Sequence, residues 1–160
     1  MKIKTGIGLD AHRFCKGRPL IVGGIQIEYE LGLEGHSDAD VLIHAIIDSL
    51  IGPALGKDIG QIFPDTDAKY KNIDSKILLK EAVKLVKLEG FEISNIDSQL
   101  IGEKPKFKNY IPLMRETLSK ILEIEVEDIT IKATSTEKMG FTGRGEGLAA
   151  IAVSTLIKKQ

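Results

Sequence analysis

The run from Val41 to Ile51 constrains the fold more than any other stretch, because only His44, Asp48 and Ser49 within it are not apolar. Asp40, His44 and Asp48 recur every four residues. On a helix that spacing stacks them in one slightly drifting stripe, while Val, Leu, Ile and Ala occupy the other sides. Such a helix is built for burial. Ionisable groups on a buried element cost several kcal/mol unless they are paired, hydrogen-bonded or bound to metal, so the stripe requires partners from elsewhere in the chain.

A chain of 160 residues with 42% hydrophobic content is long enough for one sizeable core, and the expectation is a single domain over residues 1–160. The net charge of −1, with Lys and Arg scattered, excludes a polybasic block for nucleic acid or anionic membrane. The absence of Trp and the low aromatic content argue against stacking on single strands. Cys15 has no partner for an internal disulfide, and nothing near Met1 reads as a signal h-region or a membrane span. The expected setting is the cytoplasm, with an organelle stroma as the alternative.

Periodicity then orders the elements. Lys2 to Phe14 reads as a strand whose alternation points Asp10 and His12 the same way. Leu20 to Ile27 reads as a hairpin about Gly23-Gly24. Ser37 with Asp40 fits a capping box at the start of the polar-striped helix, and Pro53 with Gly56 marks its end. Asp58 to Asp67, rich in acids and turn residues, reads as a loop. A helix follows over Ile73 to Glu89, with apolar positions at 77, 78, 82, 85 and 86. Phe91 to Ile101 reads as a strand, Tyr110 to Leu122 as a helix, and Ile129 to Ala133 as a strand. Leu148 to Ile157 has the composition of a strand buried on both faces. The predicted architecture is α+β: a mixed four-stranded sheet with helices on one face, plus a small hairpin. A sheet face without helices has to be covered by other subunits, which predicts a closed homo-oligomer.

Asp10, His12 and His44 supply one carboxylate and two imidazoles, the three-ligand set of a zinc site with an open fourth position. The competing reading is a strand-end hydrogen bond plus a satisfied core histidine. Asp48, one turn beyond His44, is either its orienting carboxylate or a contact for an outside hydroxyl or Lys. Asp40 is either a helix cap or a site residue. Thr134 to Glu137 gathers hydroxyls and a carboxylate at a strand end, suited to phosphate and a hard cation. Gly140 to Gly147 fails as a dinucleotide loop because a strand follows it. Arg144 within it is either an anion clamp or half of an ion pair with Glu146. The turn at Lys104-Pro105-Lys106 either meets phosphate or is simply solvated.

Gly8 to Phe14, His36 to Asp40 with His44, Asp58 to Asp67, and Lys132 to Gly147 occur in an order that resembles the 2-C-methyl-D-erythritol 2,4-cyclodiphosphate synthase family, from about Ile3 to the C-terminus. The resemblance implies a homotrimer with sheets facing the three-fold axis and active sites between subunits. It implies conversion of 4-diphosphocytidyl-2-C-methyl-D-erythritol 2-phosphate to the cyclic diphosphate with release of CMP, a phosphorus-oxygen lyase step of non-mevalonate isoprenoid biosynthesis. It further implies that Asp10, His12 and His44 hold one Zn²⁺ per subunit and that Glu137 contacts a second divalent cation, Mg²⁺ or Mn²⁺.

Under the same resemblance His36 and Ser135 stabilise the transition state, and His36 and Ser37 meet substrate phosphate. Asp58 and Gly60 would meet the erythritol part, with Phe63, Asp65 and Asp67 of the same acid-rich segment as further substrate-binding residues. Gly102, Lys106, Thr134, Thr136 and Glu137 would frame the cytidine diphosphate, and Asp48, Phe141 and Arg144 match further substrate contacts. Position 135 is usually threonine in that family; Ser135 keeps the hydroxyl and loses a methyl, which leaves its rotamer less constrained. The implied reaction needs no nucleophilic side chain, since the substrate's own 2-phosphate attacks. Two alternatives stand beside it: a zinc-dependent phosphohydrolase, and a non-catalytic trimer with structural zinc, for which the chain offers no obvious fourth ligand.

Overall fold

The computed structural model describes residues 1–159. Strand β1 (Lys2–Cys15) carries Gly6 and Gly8 on the face that also bears Asp10 and His12. A Cβ at Gly6 would lie 1.9 Å from the Ser49 carbonyl oxygen, and one at Gly8 1.9 Å from that of Ala45. Helix α1 (Val41–Leu55) therefore rests backbone against backbone on β1, and the missing side chains are what permit it. That contact carries the helix's one imidazole to the strand's carboxylate and imidazole.

A hairpin of β2 (Leu20–Val22) and β3 (Ile25–Ile27) follows β1 and turns at Gly23-Gly24 as expected, both with positive φ. After α1 come a helical turn α2 (Ile59–Ile62), helix α3 (Ser75–Leu88), strand β5 (Glu92–Ile101) and helix α4 (Ile111–Leu122). Strand β6 (Ile129–Thr134), a helical turn α5 (Gly140–Gly143) and strand β7 (Gly147–Lys158) complete the chain. The short β4 (Gly32–Leu33) pairs with the end of β1, so the mixed sheet has five members in the order β4-β1-β7-β5-β6 rather than four. Two residues are too few to show a period, which is why β4 escapes sequence reading. β1–β7 and β7–β5 are antiparallel, and β5–β6 is parallel.

The core lies between the sheet and α1, α3 and α4, built on Leu42, Ile46, Leu50, Leu79, Val86, Leu100, Leu118 and Leu148. The opposite face of the sheet is open in the single chain. Ile3, Ile7 and Leu9 are 57%, 70% and 65% exposed there, and Val153 is 41% exposed. Within the single chain β7 is therefore covered mainly on one face: Leu148, Ala150, Ala152, Ser154 and Leu156 are buried, while Ile151, Val153, Thr155 and Ile157 on the other face are partly or largely exposed.

Three further expectations change. The cap of α1 is Asp40, whose side chain accepts from the Ile43 N–H, not Ser37, and Pro53 lies inside the last turn, with Gly56 in the left-handed conformation closing it. Residues 58–67 are not all loop, because Asp58 and Gln61 form a capping box that starts α2. On α3 the buried face is 78, 79, 82, 83 and 86, and Ile77 points to solvent.

Candidate active site

Strand alternation brings Asp10 and His12 onto the α1 side of β1, and His44, in the first turn of α1, meets them. Asp10 Oδ2 lies 2.8 Å from His12 Nε2 and 3.1 Å from His44 Nδ1, and the two ring nitrogens are 3.3 Å apart. Among the described residues these three form the one group of His, Cys, Asp or Glu able to share a metal ion. Ligands of a tetrahedral ion held at about 2.0–2.1 Å stand roughly 3.3 Å apart, so one carboxylate and two imidazoles at this spacing suit zinc with a fourth position open. His12 Nδ1 is 2.8 Å from the Glu34 carbonyl oxygen, an acceptor only, which puts the ring proton there and turns the Nε2 lone pair toward Asp10 and His44.

The electrostatics follow from this crowding. Burial alone would raise the Asp10 carboxyl, but the hydrogen bonds and charges of His12 and His44 outweigh it and hold the group at about 2. Burial pulls the His12 imidazole down and is in turn outweighed by Asp10 and the Glu34 carbonyl, so its pKa is raised. The far nitrogen of His44, Nε2, is 2.9 Å from Ser75 Oγ and 3.2 Å from Ser37 Oγ. The orienter of His44 is therefore not Asp48, which instead accepts from the Ile59 N–H at 3.0 Å and fastens α2 to α1. Asp40 is a cap and more: fully buried, it accepts from the N–H groups of Gly23, Gly24 and Ile43, at 2.9, 2.7 and 3.0 Å, and so ties the hairpin to α1.

A family model described as the YgbB family matches residues 3–157. The chain belongs to the YgbB family. It is 54% identical over 159 residues to 2-C-methyl-D-erythritol 2,4-cyclodiphosphate synthase of Bacteroides thetaiotaomicron, covering 99% of each chain. To the synthase of the same name from Bacteroides fragilis it is 55% identical over 152 residues, covering 95% of this chain and 96% of the other. Its fold superposes on the bifunctional IspDF of Campylobacter jejuni with a TM-score of 0.95 at 42% identity, covering 99% of this chain and 43% of that longer one. A 2C-methyl-D-erythritol-2,4-cyclodiphosphate synthase in its CDP-bound form gives 0.87 at 31% identity, covering 96% of this chain and 100% of the other.

In this YgbB-family chain the remaining predicted residues fall into separate groups. His36 Nε2 is 3.0 Å from the Asp67 carbonyl, which ties the loop before α1 to the segment after α2. Asp58 caps α2, a Cβ at Gly60 would stand 3.6 Å from Asp58 Oδ1, an ordinary contact, and Asp65 is exposed. Phe63 is buried edge-on against Tyr70 at 5.6 Å and reads as support for the segment. At the end of β6, Ser135 Oγ accepts from the Glu137 N–H at 3.2 Å and lies 3.4 Å from Glu137 Oε1. Thr134 Oγ1 donates to the Ser135 carbonyl, and Thr136 Oγ1 donates to that of Met139 at 2.6 Å. Gly102 packs so tightly that a Cβ would meet Leu148 at 2.3 Å, while Lys106 is exposed. Phe141, with Ala11, His12, Arg13 and Glu146, lines a cavity of about 210 Å³ beside the triad. Arg144 pairs with Glu146 at 2.9 Å, the ion-pair alternative of the two.

Sequence reasoning gave no role to Ser75, Asp38 or Arg18. Ser75 touches His44, Asp38 holds Ser75, and Arg18 donates to the carbonyls of Gly35 and Ser37 on either side of His36. No spacing signals them, because each acts across a long loop.

Proposed function

We propose that this chain closes 2-C-methyl-D-erythritol 2,4-cyclodiphosphate from 4-diphosphocytidyl-2-C-methyl-D-erythritol 2-phosphate, releasing CMP, a phosphorus-oxygen lyase step in isoprenoid biosynthesis. The observation that carries the reading is the convergence of Asp10, His12 and His44, with Ser37 against His44, in a chain that matches synthases of that name from end to end. The catalytic unit spans residues 1–160, the ion held by the triad is Zn²⁺, and Glu137 contacts a second cation, Mg²⁺ or Mn²⁺. The setting is the cytoplasm; no helix of the described residues is long and apolar enough to cross a membrane.

In this reaction an oxygen of the substrate's 2-phosphate forms a bond to the outer phosphorus of the diphosphate, and the bond from that phosphorus to the CMP oxygen breaks. No protein nucleophile takes part, so the demands on the chain are alignment and neutralisation of charge. When bound, the zinc supplies Lewis-acid polarisation of a phosphate oxygen. In this reading His36, tethered to the Asp67 carbonyl, and Ser37, 7% exposed, meet phosphate, and His36 and Ser135 stabilise the transition state. Asp58, Asp65 and Asp67 offer acceptors to the hydroxyls of a polyol. Gly102, Lys106, Thr134, Thr136 and Glu137 frame the cytidine diphosphate, with Asp48, Phe141 and Arg144 as further contacts. Folding a flexible substrate into a ring-closing pose accounts for up to about 7–11 kcal/mol of barrier. The exposed apolar stripe of Ile3, Ile7, Leu9 and Val153 supports a homotrimer whose sheets face the axis, which sets the site between subunits.

Incubation of the protein with that substrate, zinc and magnesium, followed by phosphorus NMR, is expected to show CMP and a cyclic diphosphate in equal amounts. A linear product would assign a phosphohydrolase instead, and no turnover by a metal-replete, folded protein would refute the reading.

A further inference from the structure

His44 binds a metal through Nδ1 only while its own proton rests on Nε2, because a neutral imidazole has one donor and one acceptor nitrogen. The triad itself works against that arrangement. Asp10 Oδ2, 3.1 Å from Nδ1, is an acceptor and draws the proton to the wrong nitrogen when no metal is bound. The other side of the ring supplies the opposing force.

Ser75 is fully buried at the start of α3, with its Oγ 2.9 Å from His44 Nε2. A hydroxyl has one proton, and that of Ser75 goes to Asp38 Oδ1 in a short hydrogen bond. Asp38 Oδ2 also accepts the Ser75 N–H at 3.1 Å, and the Asp38 N–H donates to the Ile73 carbonyl at 3.1 Å. With its proton committed to a carboxylate, Ser75 Oγ can only accept from the ring. Ser37 Oγ, 3.2 Å from the same nitrogen, is the longer of the two contacts and already accepts from the Ala39 N–H.

We propose that Ser75 and Asp38 are positioning residues that fix the His44 proton on Nε2 and so keep Nδ1 open to a metal ion. The proposal rests on the metal-binding reading given above. It also explains two otherwise unassigned groups. Asp38, in the loop before α1, and Ser75, 37 residues later, pair through both the backbone and the side chain of the serine, although neither belongs to the triad. The pairing holds the start of α3 against the loop that carries His36 and Ser37, so one contact sets both the tautomer of His44 and the place of its ring.

Nitrogen-15 NMR of the full-length, metal-free protein, at a pH where the rings are neutral, is expected to show the His44 proton on Nε2. Competition against a chromogenic chelator is expected to show that Ser75→Ala weakens zinc binding by about 10–100-fold, the range found for residues that orient metal-bound histidines. Ser75→Thr, which keeps the hydroxyl, retains wild-type affinity. Asp38→Asn turns an amide donor toward Ser75 Oγ, frees the hydroxyl to donate to the ring, and moves the proton to Nδ1. A wild-type spectrum with the proton on Nδ1, or zinc affinity unchanged in Ser75→Ala, would overturn the proposal. Should Ser75→Ala fail to fold, the wild-type spectrum and Asp38→Asn decide it. Wild-type protein that binds no zinc would refute the metal reading instead, while the spectrum still reports the tautomer.

Discussion

Gly8→Ala adds a single methyl group, yet it acts on fold and site together. The new Cβ would stand 1.9 Å from the Ala45 carbonyl oxygen and 2.9 Å from the Ser49 amide nitrogen, both backbone atoms of α1 that no rotamer change can move. An ordinary contact of a Cβ lies at 3.4–4 Å, so the helix has to retreat from β1 by more than 1 Å or the strand has to bend. Overpacking of this kind costs about 1–3 kcal/mol. For a chain of this size that lowers the melting temperature by about 2–4 °C per kcal/mol. Ala45 adjoins His44, so the retreat carries the Nδ1 ligand away from Asp10 and His12. Functional constellations tolerate about 0.5 Å, and a 1 Å misplacement costs about 100-fold in rate. Differential scanning calorimetry, chelator competition for zinc and turnover should therefore all fall together. Gly52→Ala is the control, because nothing lies within 4 Å of a Cβ there, and alanine in a helix gains about 0.5–1 kcal/mol over glycine. A Gly8→Ala protein with wild-type melting temperature and zinc affinity would refute the claim that this contact positions the site.

His44→Ala should abolish zinc binding and turnover while the far-ultraviolet circular dichroism stays that of the wild type; metal analysis showing unchanged stoichiometry would reject the assignment. In metal-free protein the Asp10–His12 pair sets a pH window. Asp10, held at about 2 against an ordinary 3.8, contributes about 2 kcal/mol that is present above 3.8 and lost as pH falls toward 2. His12, raised above 6.5, contributes stability below 6.5 that is lost as pH rises through its folded value, so the joint contribution peaks between 3.8 and 6.5. His12→Ala should flatten the alkaline side of a melting-temperature profile, and an unchanged profile would contradict the pairing. Asp40→Ala leaves the buried N–H groups of Gly23, Gly24 and Ile43 without their acceptor and should cost about 3 kcal/mol or more in urea unfolding. Ile7→Lys, placed on the open sheet face, should give monomers in sedimentation velocity with α1 and the triad intact; an unchanged assembly would show that this face is not the interface.

The open sheet face and the local half of the site follow from short-range rules. Alternation along β1 places Asp10 and His12 together and sends Ile3, Ile7 and Leu9 to the other side. The turn chemistry of Gly23-Gly24 and the stop at Gly56 need only a few residues to be recognised. His44 is legible as a third ligand because an imidazole on an otherwise apolar helix is costly to bury alone.

Beyond the cap that Asp40 makes on Ile43 and the ligand set that His44 joins, the partners of the polar stripe were decided by tertiary structure. Asp48 serves the N–H of Ile59, and Asp40 serves the N–H groups of a hairpin 16 and 17 residues earlier. Ser75 reaches His44 from 31 residues away. Asp40 and Asp48 bond to backbone N–H groups, which every residue but proline offers alike, so composition and spacing carry no trace of the pairing. Ile77 and Leu79 show the same division on α3: their period marks a helix, but which side is covered depends on where that helix docks. The sequence by itself thus determined which groups needed partners and which strand face they shared. The tertiary structure selected the partners, because only the packed chain brings a distant donor or acceptor within hydrogen-bonding distance.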